Sequence, residues 1–193
     1  MDTSGIIAQL ERHLSLEEKE KLSFTSALIA ARLKQGDFAE VAGKITSSFI
    51  YVNSGCLMSY FTDADGSDHV IQFAVSGWWT GDLHSFTSAE PSIYSTRALT
   101  DSEVFYLPKD DMETLLEKFP RLERYFRILF QNSIVSHQHR LIQNLSVTAD
   151  QRYENFSKRY PTLEQYVPLK YIASYLGITP EFLSKIRRKR SGN

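Results

Sequence analysis

Hydrophobic spacing changes twice along the chain. Residues 15–27 read as a helix, and Ser15 with Glu18 three positions on forms a capping box at its start. From residue 29 the helical period fades. Residues 29–33 lead into the turn residues Gln35-Gly36-Asp37, and five short β-like runs follow at 48–52, 56–61, 70–75, 95–99 and 103–107. Asn53-Ser54-Gly55, the stretch from Asp63 to Ser67, Ser76-Gly77 and Thr100-Asp101-Ser102 separate them. Short strands at roughly 8–12-residue spacing, with turn chemistry between them, predict a sandwich or barrel.

Past Pro108 the period is helical again. Residues 110–118 predict a short helix. Pro120 then opens a long one, where its missing N–H costs nothing. That helix runs to about residue 145 without Gly or Pro, or ~39 Å at 1.5 Å per residue. Leu122, Phe126, Leu129, Phe130, Ile134, Leu141 and Leu145 form one apolar stripe. Ile128, Val135 and Ile142 form a second, seven apart, with Tyr125, Asn132 and His139 between them. Two stripes suit a helix that packs on its own domain and on a second helix. One wide core-facing stripe is the alternative. A helix at 149–160 follows, then a break at Pro161 and a last segment from Pro168.

Charge changes this picture only locally. Lys plus Arg is 22 against 23 Asp plus Glu, which excludes a uniformly basic coat. Yet from Pro168 onward six cations face only Glu181, a net of +5, leaving −6 for residues 1–167 of a chain whose total is −1. A single cysteine, Cys56, excludes a disulfide framework, a Cys-based structural zinc site and an all-cysteine iron–sulfur cluster, and fits a reducing compartment. Cys56 lies in a strand-like run and is expected in the core. No apolar run approaches the ~20 residues that span a bilayer. The first ten residues have neither a basic region nor a long apolar stretch. A cytoplasmic protein without signal peptide or membrane contact is expected.

The basic segment is also patterned. Ile172, Ala173 and Leu176 make the inner face of a short helix. Gly177 can supply the positive φ of a tight inter-helix turn, and Ile178 plugs the gap. Thr179 is placed to cap a second helix with Pro180 at its first position. Phe182, Leu183 and Ile186 continue the apolar face, while Pro180, Glu181, Ser184, Lys185 and Arg188 face outward. This is a helix-turn-helix with a basic recognition helix. An αα-hairpin with a solvated basic tail is the alternative.

In this order of parts the chain resembles the cyclic-AMP receptor protein (Crp/Fnr) family of bacterial transcription regulators. The match is strongest over residues 172–187 and looser at Asn53-Ser54-Gly55, 77–83 and 95–104. The resemblance implies an α+β fold. Residues 1–119 would form a cyclic-nucleotide-binding-type β-barrel, a double-stranded β-helix or jelly roll. Residues 120–146 would form a dimerisation helix using Ile128, Asn132, Val135, His139 and Ile142. Residues 147–193 would form the helix-turn-helix domain. It implies double-stranded DNA and a second copy of the chain as partners, with RNA polymerase and a small-molecule effector as further ones. The DNA-binding residues would be Thr179, Pro180, Glu181, Ser184, Lys185, Arg187, Arg188, Lys189 and Arg190. Only Ser191-Gly192-Asn193 follow them, so a full wing is not expected.

The family's ligand cassette maps to Gly81, Asp82, Leu83, Ser92 and Ile93, with His137 and Gln138 at the long-helix positions that reach the base. Asp82 replaces the family's glutamate, and Ser92 stands where an arginine pairs with the cyclic phosphate. A buried phosphate without its cation is costly, so cyclic AMP is not the expected effector and no cofactor is assigned. Arg97 falls at a later strand position. Trp78 and Trp79 read as core or pocket wall.

Two other classes were weighed. One is a sensing module, for a nucleotide or other small molecule, whose basic tail contacts protein; the +5 terminal charge favours DNA. The other is an enzyme such as a metal-dependent cupin. His13, His137 and His139 lie in helical segments, leaving only His69 and His84 for a metal, and no nucleophile–base set or phosphate loop is visible. No catalytic residue and no metal ligand is expected.

Overall fold

The computed structural model describes residues 1–191. Two short helices, α1 (Ser4–Glu11) and α2 (Glu18–Ser26), precede eight strands: β1 (Ile29–Leu33), β2 (Phe38–Glu40), β3 (Ser48–Ser54), β4 (Cys56–Thr62), β5 (Asp68–Val75), β6 (Trp79–Thr80), β7 (Ser95–Ala98) and β8 (Ser102–Pro108). A one-and-a-half-turn helix α3 (Leu83–Ser88) interrupts them. Five helices complete the chain: α4 (Lys109–Lys118), α5 (Glu123–Ser146), α6 (Ala149–Arg159), α7 (Leu169–Leu176) and α8 (Pro180–Ser191).

The strands form two antiparallel four-stranded sheets, ordered β1-β8-β3-β6 and β2-β7-β4-β5. Ile50, Val52, Leu57, Ala74, Ala98 and Val104 fill the space between them. The expected barrel is present, within a mixed α+β fold. The outer faces of both sheets are covered as well. Phe49, Tyr51, Phe105 and Leu107 of the first sheet pack under α1, α2, α4 and the start of α5. Cys56, Met58, Tyr60, Val70 and Phe73 of the second pack under α6–α8. Burial on both faces explains why residues 49–52 and 56–58 are continuous apolar runs rather than alternating ones. Gly55 turns β3 into β4 at φ +91°, and a Cβ there would lie 2.2 Å from Ser102 Oγ.

Several expectations are corrected. The capping box of α2 is Glu17 with Glu20, not Ser15 with Glu18. Glu20 Oε2 accepts from the Glu17 N–H at 2.7 Å, and Glu20 is buried beside Arg121. Pro120 opens a single 3₁₀ turn, Pro120–Leu122, ahead of α5. The core stripe of α5 stops near Phe130. Ile134, Leu141 and Leu145 are 53, 60 and 79% exposed, because the barrel's apolar surface ends before them. Phe182 is exposed rather than part of the inner face of α8. Helix α1 was not foreseen, though its fully buried Ile6 and Leu10 are an i, i+4 pair.

Candidate nucleic-acid interface and barrel cassette

Helices α7 and α8 form the expected helix-turn-helix. Ile172, Ala173 and Leu176 are buried against Leu183 and Ile186. Gly177 ends α7 in the left-handed region at φ +65°, and the Ile178 N–H donates to the Ala173 carbonyl. Thr179 Oγ1 accepts from the Phe182 N–H at 3.2 Å, capping α8. Pro180, Glu181, Lys185 and Arg188 lie on the solvent side of α8. The half-buried Ser184 donates to the Pro180 carbonyl.

The basic cluster is not uniform. Arg187 Nε stands 3.4 Å from Glu164 Oε2, and Tyr153 and Ser157 donate to the same carboxylate. Arg187 thus ties α8 to the 3₁₀ turn Leu163–Gln165, which Tyr153 and Ser157 of α6 hold in turn. Lys189 and Arg190 stand 3.9 Å from Asp150 and Glu154, and Arg190 also lies over the Tyr153 ring. Pairs that long and that exposed contribute about 0–1 kcal/mol and open readily. Lys185 and Arg188 form no ion pair among the described residues.

At the other end of the chain, the barrel holds a polar line. Thr96 Oγ1 donates to Glu40 Oε2 at 3.0 Å. Ser59 lies 2.9 Å from Thr96 and 3.0 Å from Thr80. With Thr96 donating to Glu40, Ser59 must donate to Thr96, and Thr80 to Ser59. The hydroxyls all point their protons toward Glu40. Glu40 Oε1 is shielded and has no hydrogen-bond partner among the described residues. Burial raises the Glu40 pKa, and the Asp82 charge adds to the effect.

Asp82 and Ser92 do meet. Ser92 Oγ donates to Asp82 Oδ2 at 2.7 Å, both residues being buried, and Asp82 Oδ1 accepts from the His84 and Ser85 N–H groups at the start of α3. Gly81 joins them through its carbonyl, which accepts from Tyr94 Oη. Leu83 and Ile93 point outward, 40 and 72% exposed. Arg97 lies on the outer face of its sheet, donating to Tyr171 Oη at 2.6 Å with its guanidinium over Tyr60. The cassette therefore brings two carboxylates together, and the cation that lines the pocket beside Glu40, Lys44, is exposed. His137 lines a different cavity, beside Trp78 and Arg140. Burial and the two arginines there, Arg140 and Arg159, hold its pKa below the ordinary value. Gln138 is on the exposed face of α5.

On α5, Val135 and Ile142 are exposed, at 47 and 56%, as are Asn132 and His139. Ile128 is half-buried. The exposed Ile134, Leu141 and Leu145 flank Val135 and Ile142, so the outward apolar face is wider than the sequence stripe.

Other chemistries have little to build on. Cys56 is wholly buried and its thiol is pushed up to about 12, as expected of a core residue. His69 pairs with Asp63 at 2.6 Å within the β4–β5 turn, and His84 lies 3.9 Å from Glu90. Among the described residues no cluster of three or more His, Cys, Asp and Glu side chains could hold a metal, and no helix is long and apolar enough to cross a membrane. Sequence reasoning missed Glu40, Arg140 and Arg159.

Residues 31–119 match the cyclic nucleotide-binding domain family. The Anaerobic regulatory protein of Aggregatibacter actinomycetemcomitans is 26% identical over 156 residues, covering 75% of this chain and 60% of that protein. The Transcriptional activator protein anr of Pseudomonas aeruginosa is 26% identical over 165 residues, covering 80% and 67%. The chain thus spans about 60% of the length of the first of these relatives. The structure of FixK2 from Bradyrhizobium japonicum superposes with a TM-score of 0.72 at 16% identity, over 84% of this chain and 83% of that one.

Proposed function

We propose that the chain is a member of the Crp/Fnr family and, on that premise, a DNA-binding transcription regulator acting as a homodimer on a near-palindromic site. The observation that carries this reading is the outer face of α8. It is capped and braced from behind, and it offers Glu181, Lys185 and Arg188 to solvent. A braced helix with free polar groups near its start suits the major groove. Glu181 is assigned to cytosine N4, Lys185 to guanine, and Arg188 to phosphate. Dimerisation uses the outward apolar face of α5, which sets two copies of α8 into successive major grooves about 34 Å apart. The barrel cassette does not take a cyclic phosphate in this reading. Asp82 is already bonded by Ser92, Glu40 adds a second acid, and a serine stands at the place of the arginine that would pair with phosphate.

Mobility shifts on genomic fragments test the reading, and two variants divide its parts. Lys185→Ala lowers operator affinity by about 1–3 kcal/mol per half-site and relaxes sequence preference. Arg188→Ala weakens all DNA alike and reduces the salt slope by roughly one unit. Equal loss on operator and random DNA for Lys185→Ala would move base reading to another face. Absence of any DNA binding would remove the function itself.

A further inference from the structure

Where β5, the β5–β6 turn, α5 and the α6–α7 region come together, they enclose a half-open cavity of about 270 Å³. Its wall is aromatic. The rings of Trp78 and Tyr160 lie 5.7 Å apart, and those of Tyr160 and Tyr175 6.0 Å. Two guanidinium groups border it. Arg159 sits 4.9 Å from the Trp78 ring centre and donates to Ser136 Oγ at 2.8 Å. Arg140 sits 4.7 Å from the Tyr175 ring centre and donates to the carbonyls of Ile71 and Val70. Neither arginine meets a carboxylate among the described residues, and no Asp or Glu lines the cavity.

This is the reverse of the barrel cassette, where two acids, Glu40 and Asp82, come together. A guanidinium has five donors in a fixed fork, and here one or two on each are engaged. Stacking on an aromatic face leaves its edge free for an anion. Two positive charges kept together without a counter-charge are best relieved by a ligand that supplies one.

We propose that this cavity is a binding site for a small organic anion with a carboxylate or phosphate head and a flat apolar body. The head lies between Arg140 and Arg159, and the body lies among Trp78, Tyr160 and Tyr175. For its consequence alone, the proposal rests on the regulator reading. The walls come from the barrel, from α5 and from the helical region that carries α8. An occupant therefore favours the docked arrangement over any in which these parts separate, in proportion to its affinity for each.

The test uses the full chain with three probes of one shape: 1-naphthoate, 1-naphthyl phosphate and the uncharged 1-naphthalenemethanol. Calorimetry should give saturable binding of at least one of the two anions, at least tenfold tighter than the alcohol. The indole N–H resonance of Trp78, assigned with Trp78→Phe, should shift on titration more than that of Trp79. Arg159→Gln should weaken binding tenfold or more, and Arg159→Lys should restore part of it. If Arg159→Gln does not fold, the wild-type melting temperature decides, rising with the anions and not with the alcohol. Equal binding of all three probes, no saturable binding at millimolar concentration, or wild-type affinity in a folded Arg159→Gln overturns the site. DNA mobility shifts run without any probe judge the regulator reading separately, so either can fail alone.

Discussion

Glu40 is the residue most at odds with its surroundings. Three hydroxyls deliver one hydrogen bond to it, and its second oxygen has none. A buried polar atom without a partner costs about 1–3 kcal/mol, more when charged. Burial raises its pKa above the ordinary 4.5, so the folded state binds this proton more tightly than the unfolded chain does. Stability from this group is present below about 4.5 and is lost as pH rises through the raised folded value. Glu40→Gln removes the ionisation. At pH 7 the variant should be the more stable of the two, because it carries no charge to desolvate. Its advantage should shrink toward acid pH, as denaturant melts across pH 4–8 would measure. A constant advantage at every pH would mean that the carboxylate does not titrate in this range. The sequence hid this site because β2 is only three residues long and bulged, too short to display an alternation. Asp82 and Ser92 could be aligned with the ligand cassette, but that they hydrogen-bond to each other is a fact of the folded loop.

At the scale of elements, α5 divides along its length. Its first half is anchored by Leu122, Tyr125 and Phe126, all buried. In its second half Arg140 donates to backbone carbonyls of β5, while apolar residues point outward. An exposed stripe of that kind on a helix without Gly or Pro suits a helix–helix seam. Val135→Lys with Ile142→Lys would set like charges face to face across a two-fold axis. The double variant should sediment as a monomer at micromolar concentration with an unchanged melting profile in the barrel. A persistent dimer would put the seam elsewhere. The seven-residue spacing was visible in the sequence. Which of the two stripes faced the core was not, because that depends on where the barrel ends.

The whole molecule is four layers: helices, sheet, sheet, helices. The outer helical layer on the second sheet is the helix-turn-helix itself. Ser174 on α7 accepts from the Val70 N–H at 2.9 Å and donates to the Asp68 carbonyl at 2.8 Å, satisfying the free edge of β5. Arg97 and Tyr171 add a second polar tie, and Tyr160 Oη donates to the Phe73 carbonyl. Ser174→Ala strands the Val70 amide. It should cost about 1–3 kcal/mol and speed hydrogen exchange at Val70 far more than at Val52 in the barrel interior. Unchanged protection at Val70 would mean that the two parts are not held together by this bond.

Local chemistry and order were legible from residues alone. Turn residues at 53–55, apolar runs of strand length, Ala173, Gly177 and the Thr179-Pro180 start of α8 each act within a few neighbours, so their meaning survives in one dimension. The capping box slipped by two positions because Ser15 and Glu17 can both precede a helix, and the burial of Glu20 decided between them. What depends on distant segments came only with the tertiary structure. Glu40 beside the cassette, Arg187 on Glu164, Arg97 against Tyr171, and the arginine pair over the aromatic cavity join residues tens of positions apart. Their energies come from burial and from charge neighbours, and neither quantity exists until the chain has folded.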